Sequence, residues 1–178
     1  MNRRLVFLTA LTMSAIAAGP AEAKGTHGQA LTAVIGQGAG IVNVTPTATS
    51  VGFSAQITVN VHATAPNTTF FVQRAPEVGR PLGDDGICQR ANGLWPWEQP
   101  NSAGFAPAPA FVTFPRPLAG DLTTLTTDAG GDGDAHFAFD LPALADGTVF
   151  DVEFRLVDRL TAPPATDLRT GCFTVTVM

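Results

Sequence analysis

The stretch SAQITVNVHA sets Ile57, Val59 and Val61 against Gln56, Thr58, Asn60 and His62. Strict alternation of this kind suits a β-strand with one buried face and does not suit a helix. The same period returns in VFDVEFRLVD, where Phe150, Val152, Phe154 and Leu156 alternate with Asp151, Glu153 and Arg155. Further strands are expected over residues 40–48, 68–74, 121–128, 135–141 and 172–177. No stretch joins helical spacing to a capping signal, and β-branched residues and proline recur throughout. The chain is therefore expected to be all-β, an immunoglobulin-like antiparallel β-sandwich of about seven strands.

Before the first of these strands, the sequence reads as an export signal. MNRR is cationic, LVFLTALTMSAIAAG is apolar but short for a bilayer span, and Ala21-Glu22-Ala23 has the small-x-small form of a cleavage site. Residues 1–23 are expected to be a cleaved signal peptide, 24–39 a flexible mature N-terminus and 40–178 the folded domain. The product is expected to be secreted, with no stable membrane insertion once the leader is gone. Loss of Arg3, Arg4 and Glu22 leaves eight basic and fourteen acidic side chains, a net charge of −6. That balance argues against nucleic acid, whose phosphates call for clustered Lys and Arg.

Two cysteines in an exported chain most simply form one bridge, Cys88 to Cys172. Between them the strand rhythm fails: residues 75–120 hold eight of the fourteen prolines, so this is expected to be a long inserted loop, with FVTF as a short edge strand within it. Trp95, Trp97, Phe105, Phe111 and Phe114 give the loop more apolar surface than a solvated linker carries. If Phe173, Val175 and Val177 face the core, Cys172 shares the other face with Thr174 and Thr176, which places the bridge outside the core. Phe71 likewise points away from Phe70 and Val72 and requires a cover. Two readings of the loop follow. In one it is a lid over the outer sheet face, pinned by the disulfide, with Trp95 and Trp97 packed beneath or at its rim. In the other Trp95, Trp97 and Phe105 form a partly exposed aromatic surface for a sugar, peptide or small ligand.

Catalytic motifs are scarce. There is no G-x-S-x-G, no H-E-x-x-H and no phosphate-binding glycine loop, so no catalytic residue is assigned and no cofactor is expected. A carboxylate pair such as Asp84 and Glu98 is more simply solvated loop charge. His27 is expected in the mobile N-terminus. Asp132, Asp134 and His136 alternate into the fifth strand, whose start is expected beside outward-facing His62, and convergence of His62, Asp134 and His136 would suit zinc or copper. The plainer reading is an exposed polar face, with no metal assigned. DAGGDGD has Phe139 where a calcium loop begun at Asp128 needs glutamate, so it reads as a glycine turn within a plain hairpin.

LTTDAGGDGDAHFAFDLP is similar to a segment recurrent in bacterial secreted immunoglobulin-like domains, and with VTPTATS it loosely resembles the chromophore-carrying apoproteins of the neocarzinostatin family. The resemblance implies the sandwich and a binding rather than a catalytic role. That family carries two disulfides closing short loops, whereas this chain has two cysteines in all, so no ligand residue carries over. The leading expectation is a secreted, non-enzymatic binding module whose loops and lid meet a protein or envelope component. The alternatives are a small-molecule or carbohydrate carrier using Trp95 and Trp97, and a metal-dependent secreted enzyme.

Overall fold

The computed structural model describes residues 25–49, 52–93, 110–114, 121–142 and 144–177. The signal peptide expected at 1–23 lies outside them, as do Trp95, Trp97 and Phe105. Ten strands are present: β1 (His27–Ile35), β2 (Ala39–Thr49), β3 (Gly52–His62), β4 (Thr69–Pro76), β5 (Val112–Thr113), β6 (Thr124–Thr126), β7 (Gly133–Pro142), β8 (Val149–Val157), β9 (Asp167–Arg169) and β10 (Phe173–Thr176). The described residues contain no helix, and none is long and apolar enough to cross a membrane. All seven strands read from alternation are there, and FVTF supplies β5.

Every pairing is antiparallel, and the strands run in the order β5-β4-β8-β9-β1-β2-β3-β7, with β6 beside β4 and β10 beside β8. The two ends of this order meet in space. Phe114, just past β5, lies 5.2 Å from the Phe137 ring and 5.0 Å from the Phe139 ring of β7. The sheet is therefore curled, and its concave side is the core. Phe53, Ile57 and Val59 of β3 face Phe150, Val152 and Phe154 of β8 there, with Leu31, Val42, Phe70, Leu168 and Val175 filling the space. Phe53 and Phe150 meet edge to face at 6.0 Å, the geometry their quadrupoles favour.

The N-terminal segment departs from expectation. Residues 27–35, read as flexible, form β1, which pairs with β2 over His27–Thr32 and with β9 over Thr32–Ile35. Ladders on both sides, with Leu31 only 1% exposed, override the glycines that made the segment look mobile. His27 is consequently fixed 6.4 Å from the Phe173 ring, and burial lowers its pKa.

The glycine turn is a second correction. Gly131 N–H donates to Asp128 carbonyl, and Asp128 carboxylate accepts from the N–H groups of Gly130 and Asp132, which hold its pKa below the ordinary aspartate range. Yet β6 pairs with β4 and β7 pairs with β3. The turn therefore carries the chain from one half of the curled sheet to the other and does not join two neighbouring strands as a hairpin would.

Candidate binding surfaces

The seam where the sheet ends meet is closed by Arg74. It continues the inward row of Phe70 and Val72 on β4, and its guanidinium carbon lies 3.8 Å from the Phe114 centroid and 4.0 Å from that of Phe139. A cation between two rings, one of them fully buried, is held by their π-faces. Behind it Phe53, Phe150 and Phe154 line an apolar cleft of about 30 Å³. Ordinary small-molecule sites run to roughly 300–1,000 Å³, so this cleft is a packing gap at the seam.

The outer face of β8 is far more polar, and part of it is covered. Asp151 is completely buried although its side chain points away from the core. Its Oδ2 accepts from Gly86 N–H at 2.8 Å and its Oδ1 from Thr174 hydroxyl at 2.6 Å. Its backbone bonds Glu77 N–H and Gly83 carbonyl. Asp151 thus ties residues 77–86 across β8 to β10. The Cys88–Cys172 disulfide, with Cα atoms 5.4 Å apart, fastens the same segment. Phe173, Val175 and Val177 are buried and Cys172 lies with Thr174 and Thr176 on the opposite face, so the bridge stands outside the core as the alternation requires. Phe71 is half-buried. How the tryptophans meet this lid lies outside the described residues.

Two acidic groups, Glu77 and Asp151, are buried where the lid meets β8, and Asp85 lies exposed on the lid nearby. Glu77 is 1% exposed; its Oε1 accepts from Arg90 N–H at 2.6 Å, and its Oε2 has no hydrogen-bond partner among the described residues. Burial raises its pKa, the Arg90 N–H opposes that, and the nearby Asp151 and Asp85 charges add to it. Asp85 is engaged by Ile87 N–H and the Gln89 amide.

Farther along the same face, register sets Arg155 of β8 directly opposite Arg169 of β9. Both close on Asp167, which is 1% exposed. Burial would raise the Asp167 pKa, but the hydrogen bonds from Arg169 and Arg155 prevail and hold it low. The Phe111 ring lies 5.3 Å from the Arg155 guanidinium carbon and 5.2 Å from that of Arg169. Burial raises the neighbouring Glu153, against the pull of Arg169.

The histidine and aspartate cluster does not form. Val61 pairs with Gly133 and Thr58 with His136, so His62 lies beside the start of β7 but four residues from the His136 position, roughly 13 Å at the rise of a strand. His136 Nδ1 instead meets Thr58 hydroxyl at 3.0 Å, and Asp132 accepts from Ala63 N–H. No three metal-ligating side chains gather among the described residues. Asp84 is exposed, and Glu98 lies outside the described residues. Comparison with protein-family models, curated proteins and solved structures finds no match for this chain.

Proposed function

We propose that the chain is a secreted, non-enzymatic binding module, an immunoglobulin-like sandwich that attaches to an extended segment of a partner protein in the cell envelope. The layering supports the finer fold: β2, β3 and β7 lie on one side of the core, β4, β8 and β10 on the other, and β1 with β9 spans between them. The observation that carries the function is β7. It is ten residues long, stands at the end of the strand order and among the described residues is hydrogen-bonded as a strand to β3 alone, with Phe114, Arg74 and β6 approaching its core side. A long free edge offers a row of backbone donors and acceptors that an incoming strand satisfies. Half-buried Phe137 and Phe139 flank it on the core side, and exposed Asp134, His136 and Asp140 on the other give side chains by which a partner is distinguished. Non-enzymatic action agrees with the use of Asp128, Asp151 and Asp167 as structural anchors.

The test is co-sedimentation of the purified protein with envelope fractions of the producing cell, beside Ala138→Lys. Ala138 is exposed on β7, and lysine on an edge opposes strand addition without entering the core. Wild type is expected in the pellet and Ala138→Lys in the supernatant, both with unchanged circular dichroism. Equal partitioning of the two would reject edge docking.

A further inference from the structure

The paired arginines on the outer face of β8 and β9 are arranged for more than holding the sheet together. Two like charges directly opposite on neighbouring strands repel, and the chain holds them there by sinking one aspartate beneath both. Arg155 donates from Nε to both Asp167 oxygens at 3.1 Å and from Nη2 to Oδ2 at 2.8 Å. Arg169 donates from Nε at 3.2 Å and from Nη2 at 3.0 Å. Both guanidiniums therefore spend the same edge on Asp167. A guanidinium carries five N–H donors, so the Nη1 group and one Nη2 hydrogen of each remain, and among the described residues they meet no acceptor.

Both side chains reach solvent in part. The Arg155 and Arg169 side chains are 21% and 30% exposed, whereas Asp167 is 1% exposed. Phe111, buried beside both guanidiniums, restricts their swing and lowers the ordering cost of a further contact. Asp167 is the one carboxylate that hydrogen-bonds the pair among the described residues, and Glu153 lies nearby at 7% exposure.

We infer that Arg155 and Arg169 form a binding site for a single carboxylate group of an external ligand, held by the guanidinium edges that face away from Asp167. A planar carboxylate matches these planar donors edge to edge, whereas a doubly charged phosphate would bring more negative charge against the nearby Asp167 and Glu153 carboxyl groups. Asp167 and Phe111 act as positioning groups. The site is independent of the β7 edge, and its failure would leave strand docking untouched.

The experiment follows the arginine Nε–Hε resonances of ¹⁵N-labelled full-length protein during titration with acetate, galacturonate or N-acetylglycine, against chloride at matched ionic strength. Saturable shifts at Arg155 and Arg169 with the carboxylates and not with chloride are expected, and the tighter of galacturonate and N-acetylglycine identifies a sugar acid or a peptide terminus as the source. Arg169→Lys keeps the charge and loses the fork, and should weaken binding about tenfold or more. If that variant is unfolded by its amide dispersion, Arg155→Lys makes the same comparison. Shifts matched by chloride, or retained at full affinity in the lysine variant, would overturn the inference.

Discussion

Thr64 shows how much a single residue can hold at the crossing between the two halves of the sheet. It is 1% exposed, and both its N–H and its hydroxyl donate to Gly131 carbonyl, at 3.1 and 2.8 Å. Gly131 has φ of +82°, and a Cβ there would be driven into the Thr64 backbone. Gly131→Ala combines left-handed strain with a backbone clash, and it is expected to cost about 3 kcal/mol in urea denaturation. A destabilisation near zero would mean that the turn relaxes freely. Glu77 makes the opposite case, a residue the fold tolerates at a cost. Its pKa in the folded chain is raised above the ordinary 4.5, chiefly by burial. The folded protein therefore binds more protons than the unfolded chain just above pH 4.5, and stability falls as pH rises through that window. Glu77→Gln keeps an oxygen for Arg90 N–H and removes the charge facing Asp151 and Asp85. Its melting temperature should exceed that of wild type at pH 7, and the difference should close as pH falls below the ordinary glutamate range. A constant difference across pH would show that the charge is not the cause.

Among the strands, legibility in the sequence follows length and contrast. β3 and β8 are readable because each sets an unbroken apolar row against a polar one; burial alternates with those rows in β3, whereas in β8 the lid and β9 bury Asp151 and Glu153 of the polar row as well. Arg74 was readable in principle too, as an arginine continuing the apolar row of Phe70 and Val72. β9 has three residues, too few for a period, and β1 presents Gly28 and Ala30 where a strand usually shows larger side chains. The turn at Gly131 could not be told from a hairpin, because alternation fixes faces and leaves neighbours open. The paired arginines depend on the β8–β9 register, and the isolation of His62 from His136 on the β3–β7 register, neither of which local sequence encodes. β1 is the element whose reassignment has the clearest consequence, since it is the one strand between β2 and β9 in the order. Leu31→Ala should therefore cost roughly 2–4 kcal/mol, as for a fully buried leucine. A flexible segment would instead lose a few tenths, and the denaturation midpoint separates the two outcomes.

At the scale of the molecule the disulfide and the core are distinct sources of stability. Cys88 and Cys172 are 84 residues apart, a loop whose closure in the unfolded chain is worth about 4.5 kcal/mol in the chain-entropy model. The bridge lies outside the core, where it fastens residues 77–93 over Asp151, while Phe53, Phe150 and Phe154 pack without touching it. Its removal should therefore act through the unfolded ensemble and the lid, leaving the curled sheet assembled. The double variant Cys88→Ser/Cys172→Ser is expected to keep its β-sheet circular dichroism and to unfold at lower urea. In hydrogen exchange its lid amides, Gly86 and Arg90 among them, should lose protection first, because contacts such as those to Asp151 and Glu77 would then hold the segment without a covalent tie. Amides of β3 should open only with global unfolding. Protection lost equally in β3 and the lid would show that the bridge is part of the core's own cooperativity, and the separation of an apolar interior from a clamped outer face would fail with it.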